Sequence, residues 1–211
     1  KDLDEIRKRF QFGLNQEVYF KMLARYDSKN ILLDQSNEGI SDLQTLNRVI
    51  SYKYETPFVK KEEEKSEDKK SFFDKIKNKF TKPEVPETDN PYTTSKFKTP
   101  DKHAEYMNVH VQNNDIFKYM NEKHGTDLFV FINMFEIKTD YENCIDLQSK
   151  RYGREITVHF SIFDKTGKQL FGDKVSVQYD SSTNDISEII KSNFPLVADY
   201  MTWNLPERKK M

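Results

Sequence analysis

Apolar and polar positions alternate most cleanly late in the chain. Ile156, Val158, Phe160 and Ile162 are separated by Thr157, His159 and Ser161. That period of two is the signature of a strand with one apolar face, and it leaves His159 on the polar face. Phe171, Val175, Val177 and Tyr179 give a returning strand. Asp164, Lys165, Thr166 and Gly167 between them supply turn chemistry, with Gly167 placed for a positive φ and Gly172 for a bulge. The pattern predicts a β-hairpin. Residues 128–137 are almost continuously apolar, which predicts a central strand covered on both faces. Before it, residues 104–111 read as a strand. Asn114 or Asp115 caps a helix carrying Ile116, Phe117, Tyr119 and Met120, and Gly125 ends that helix. A last helix begins near Thr183 or Asn184, with Ile186, Ile189, Ile190, Val197 and Met201 as its buried stripe. Pro195 breaks or kinks it, and Trp203 anchors its end against the sheet.

The N-terminal region is harder to read. Leu3, Ile6 and Phe10 share a helical face, while residues 17–26 fit a strand and a helix equally. Ile31, Leu32 and Leu33 suggest a short strand. Ser41 caps a helix whose stripe is Leu43, Leu46 and Ile50 and which runs to about Tyr52. From residue 104 the order is β-α-β-β-β-α. The expected class is α+β, a mixed sheet of four or five strands with helices packed on it. The expected organisation is an N-terminal part at 1–55, an insertion at 56–100 and the main part at 101–211.

Composition sets the insertion apart. Hydrophobic residues make up 36% of the 211 and charged residues 33%, low and high for a compact domain. Five of the seven prolines (Pro57, Pro83, Pro86, Pro91 and Pro100) fall in the insertion, and residues 60–70 are nearly all charged. Such a stretch buries too little apolar surface to offset the entropy of ordering it. Inside it, Phe72, Phe73, Ile76 and Phe80 share a helical face, with Lys75, Lys77 and Lys79 mostly elsewhere. This short basic amphipathic segment either packs on its own domain or docks on an anionic membrane or a partner groove.

A family resemblance rests on residues 104–205. A helix ending in Lys-His-Gly-Thr-Asp, a strand, a hairpin with Asp164, Thr166, Gly167 and Leu170, and a final helix resemble bacterial envelope α/β domains. These include the TolB N-terminal domain and related folds in LpoB- and CsgG-type lipoproteins, with Gly125-Thr126-Asp127 matching their strand-entry corner. The shared motifs are turn and cap chemistry. The resemblance implies a non-enzymatic protein of the periplasm or outer membrane that binds another envelope protein, with an export signal removed ahead of Lys1. The long charged insertion departs from the family pattern.

Little catalytic chemistry is written in the chain. Lys+Arg number 34 and Asp+Glu 35, a balance that argues against a nucleic-acid partner. The single cysteine, Cys144, excludes an intramolecular disulfide and a cysteine-based zinc site. His103, His110, His124 and His159 form no metal-binding spacing. His124 reads as a helix C-terminal capping histidine. No phosphate-cradle or nucleophile-elbow motif occurs. The expectation is therefore a protein-binding or assembly module with no catalytic residue, no metal and no cofactor. Its contact residues are Phe72, Phe73, Ile76, Phe80, Lys75, Lys77 and Lys79, with peripheral membrane contact an added option. The alternatives are an enzyme with a small pocket near His124, Asp127 and Asp164, and a structural subunit that pairs through an open strand edge.

Overall fold

The computed structural model describes residues 2–57, 96–98, 105–146, 148 and 151–206. The chain divides into two units, 1–59 with 92–211 and Lys60–Pro91. All described residues belong to the first. The proposed contact residues between 72 and 80 lie outside them.

Helix α1 spans Leu3–Leu23. Its N-cap Asp2 accepts a hydrogen bond from the Asp4 N–H, Asp4 and Glu5 occupy its first turn and Lys21 its last, charges that complement the helix dipole. The ambiguous stretch after residue 17 is thus helical, since Phe10, Leu14 and Val18 share a buried face. Ile31, Leu32 and Leu33 form a turn instead of a strand. Helix α2 spans Asn37–Val49 with Ser36, not Ser41, as N-cap: its hydroxyl accepts from the Gly39 N–H at 3.0 Å. The helix stops three residues earlier than its apolar stripe suggests, because Ile50–Glu55 is strand β1.

β1 pairs antiparallel with β3 (Tyr106–Val111), Ile50 opposite Val111 and Glu55 opposite Tyr106. Helix α3 (Asp115–His124) ends at Gly125, which takes φ 67°, as its left-handed C-terminal position requires. Three long strands follow: β4 (Leu128–Asp146), β5 (Arg151–Asp164) and β6 (Gln169–Asp180). The three-residue β2 (Lys96–Lys98) lies alongside β6, so the order is β2-β6-β5-β4. Helix α4 (Ile186–Trp203) closes the fold, capped by Asp185, and runs through Pro195 without a break.

The class is α+β and the β-α-β-β-β-α order holds, but three expectations about the sheet fail. Among the described residues every pairing is antiparallel, so no mixed sheet is seen there. The strands divide into a two-stranded ribbon, β1-β3, and the larger sheet. Among the described residues, 128–137 form an edge strand rather than a central one, and β5 sits between β4 and β6. None of those ten residues is fully buried. Their apolarity reports cover on both faces and says nothing about pairing on the outer side.

The two faces of β5 are both covered. Ile156, Val158, Phe160 and Ile162 are wholly buried toward the helix layer, where Phe160 meets Tyr200 edge-on and Phe135 packs on Phe10 and Phe194. Thr157, His159, Ser161 and Phe163 face the ribbon and α3. There Val109, Ile116, Phe117, Met120 and Phe163 make a second apolar cluster. His159 is 3% exposed, which overturns the solvent-facing placement. β3 crosses the side of the hairpin that alternation marks as polar. Trp203 is 56% exposed, and Leu205 is the residue buried at the end of the last helix.

At Gly172 the hairpin comes close to the ribbon. Gly172 pairs in register with Ser161, and the extra residue of the bulge is Leu170. A Cβ on Gly172 would overlap the Tyr106 hydroxyl and the Gln169 side-chain amide, and Tyr106 is fully buried. Gly172→Ala is expected to cost about 2 kcal/mol of stability through overpacking. Tyr106→Phe in the same chain should recover part of that loss in a urea melt. Equal losses with and without the hydroxyl would refute the contact as the cause.

Candidate functional site

Three features of the described residues carry polar chemistry or unpaired backbone. The first is the outer side of β4. β5 pairs with β4 along its length, and among the described residues nothing pairs with its other edge. Phe129, Val130, Phe131, Ile132, Met134, Phe135 and Ile137 are half-buried there. The ladder to β5 shifts between Ile132 and Met134 and again between Asp140 and Cys144. Regular strand therefore runs from Met134 to Asp140. Glu136 and Lys138, two residues apart, point to the same face and form an ion pair. Unpaired edge backbone of this length presents N–H and C=O groups to any strand that can align with it.

The second feature is the polar seam holding the ribbon on the sheet. His159 Nδ1 accepts the Met107 N–H at 2.7 Å, and Asn133, the bulge residue of β4, donates to the Met107 carbonyl at 2.9 Å. One residue of β3 is thus gripped at both its N–H and its C=O. Asn133 also donates to Ser161 Oγ at 2.7 Å. The Ser161 hydroxyl donates to Asn108, which in turn donates to Glu55 at 2.8 Å and to Gln169 at 3.0 Å. Beside the seam is a polar hollow of about 160 Å³ lined by Glu136, Lys138, Glu155, Thr157, His159 and Lys174, among others. Burial pushes the His159 imidazole down to about 4, with the Lys174 charge adding to the shift. A neutral ring with a free Nδ1 lone pair is the form that accepts the Met107 N–H.

The third feature joins α2 to α3. Asp42 is 1% exposed. Its carboxylate accepts from Lys123 Nζ at 2.6 Å, His124 Nε2 at 2.7 Å and Tyr119 Oη at 3.1 Å. Burial works to raise its pKa, but the hydrogen bonds from Lys123, His124 and Tyr119 outweigh it and hold the carboxyl below its usual range. Lys123 is raised above the ordinary lysine value, chiefly by Asp42. On the far side of His124, Nδ1 lies 3.4 Å from Lys29 Nζ, and Lys29 pairs with Asp34 at 3.2 Å. The tautomer with its proton on Nε2 satisfies both neighbours.

Glu38, Asp42 and His124 place ligand atoms within 4.8 Å of one another, a set able to approach a divalent cation. The Lys123 ammonium already sits among them, 2.6 Å from Asp42 and 3.2 Å from Glu38. The chain's own cation neutralises the carboxylates. We read the cluster as a structural clamp.

The rival constellation of His124, Asp127 and Asp164 does not assemble. His124 binds Asp42, Asp127 pairs with Lys165 at 2.9 Å, and Asp164 caps its own turn through the Thr166 and Lys168 N–H groups. His124 is mostly buried and bridges two helices, so it is more than a surface cap. Asp42 escaped notice from sequence. Its one signal is an acid between Gly39 and Leu46 on the inner stripe of α2. Among the described residues no helix is long and apolar enough to cross a membrane. Comparison with known protein families, curated proteins and solved structures finds no match.

Proposed function

We propose that the domain is a non-catalytic protein-binding module that receives a partner's extended strand along the open edge of β4. The observation behind this reading is that edge: 19 residues of strand with no pairing on the outer side among the described residues. Strand addition takes its affinity from main-chain hydrogen bonds, and an ordered, twisted sheet presents them already aligned. His159, Ser161, Asn108 and Asp42 beside it are occupied with holding the ribbon and α3 in place, which supports a platform role over a reactive one. The resemblance at 104–205 extends the proposal to a partner in the bacterial envelope. Recovery of the protein in the cytosolic fraction of its host would overturn that extension.

A photo-activated cross-linker tests the edge. Tyr141 on β4 is 74% exposed, and Lys118 on α3 has a 75% exposed side chain. Cross-linkers placed at Tyr141 and at Lys118 in living cells should give a discrete adduct from the first position only. Adducts from both, or from neither, would reject the edge as the docking surface. Proline at Val130 and, separately, at Phe131 refines the test, because neighbouring edge residues turn their N–H groups to opposite sides. One variant should fold normally yet lose the Tyr141 adduct. The other should lose about 3 kcal/mol from the β5 ladder.

A further inference from the structure

We propose that one occupant of this edge is β4 of a second copy, paired antiparallel about a two-fold axis at Ile137. The inference rests on the reading of β4 as the docking edge and names what docks there. A two-fold interface must be self-complementary: whatever residue i meets on the partner must meet residue i in return. Two independent properties of β4 satisfy this at the same point.

The first is geometry. The regular run between the two ladder shifts extends from Met134 to Asp140, and its midpoint is Ile137. An axis there overlaps the two regular runs completely. An axis placed elsewhere brings a bulge of one copy against straight strand of the other, which interrupts pairing.

The second is charge. An axis at Ile137 sets Glu136 opposite Lys138 of the second copy, and Lys138 opposite its Glu136. The two residues already share a face and an ion pair within each chain. Four charges then alternate in sign around the axis, each with an opposite charge beside it and across from it. Directly opposed unlike charges favour pairing, and like charges oppose it. Phe135 falls opposite Thr139 on the other face, flanking the two Ile137 side chains. Lys138 is the only basic residue in the run. Moving the axis to residue 136 sets Glu136 against its own copy, and moving it to 138 sets Lys138 against its own copy and Glu136 against Asp140, so like charges meet either way.

The test is sedimentation equilibrium of the full chain across a concentration series, with thermal melts of each variant. The expected result is a reversible dimer. Lys138 is 68% exposed; Lys138→Glu places four carboxylates around the axis and one against Glu155 of β5, a cost within the fold that the melts read separately. This variant should weaken the dimer at least about tenfold, as should Glu136→Lys. The double variant Glu136→Lys, Lys138→Glu restores the alternating ring and should return affinity to within about threefold of the original. A dimer unaffected by the single variants, or not restored by the double, overturns the axis. A chain that stays monomeric throughout overturns self-pairing. If that monomer still gives a Tyr141 adduct with a different protein, the edge reading survives; if it gives none, both fall.

Discussion

Asp42→Ala is expected to destabilise the fold by about 3 to 5 kcal/mol, the range for removing one partner from a buried charge cluster. The carboxylate is the shared acceptor for Lys123, His124 and Tyr119. Without it, the Lys123 ammonium keeps only the exposed Glu38 and the Tyr119 hydroxyl, and a nearly buried imidazole N–H loses its carboxylate acceptor. Lys123→Met should cost less, because Asp42 keeps two donors. Chemical denaturation of both variants at pH 7 reads the difference. Similar losses for the two would show that Asp42 acts as one half of a pair and not as a hub. The pH dependence has a definite sign. The Asp42 carboxyl is held below its ordinary value, so its contribution is present above pH 3.8 and declines as the carboxyl takes up a proton at lower pH.

The second large effect is acid weakening through His159. Its folded value is about 4 against an ordinary 6.5. The unfolded chain therefore binds a proton near pH 6.5, while the folded chain resists until about pH 4. Stability is full above pH 6.5 and falls as pH drops through that window, by about 2 to 3 kcal/mol at pH 4.5 for so buried a ring. Protonation also replaces the lone pair that accepts the Met107 N–H with a second donor. His159→Asn places a non-titrating acceptor at the Nδ1 position. Its urea midpoint should be lower than the parent's at pH 7.5 but should change much less between pH 7.5 and 4.5. An unchanged slope in the variant would assign the acid sensitivity elsewhere.

What could be read from sequence was local. The hairpin around Gly167 and the end of α3 at Gly125 depend on residues a few positions apart, and both stand as expected. What failed depended on distant partners. Ile50 continues the α2 stripe by spacing, yet it leaves the helix to pair with Val111, 61 positions on. His159 looks solvent-facing because alternation marks the less apolar side of β5, and nothing nearby announces that β3 crosses it. The apolar run in β4 was read as an interior strand. Phe135 is covered by α1 and α4, and Phe129 and Phe131 by Phe117 of α3. Two covered faces give the same composition whether or not a neighbour pairs on the outside. The open edge, which carries the proposed function, was therefore invisible in the pattern that suggested the strand.

The first and last helices lie side by side and run in the same direction. Arg9 meets Ser187, Gly13 meets Ile190, Lys21 meets Asp199, and Arg25 donates to the Thr202 carbonyl. During synthesis α1 emerges long before its neighbour exists, so Phe10, Leu14 and Val18 wait uncovered until residues 186–203 have been made. A nick or premature stop ahead of residue 186 would leave a nascent chain with an adhesive first helix, a substrate for chaperones and proteases more than a shorter version of the same protein.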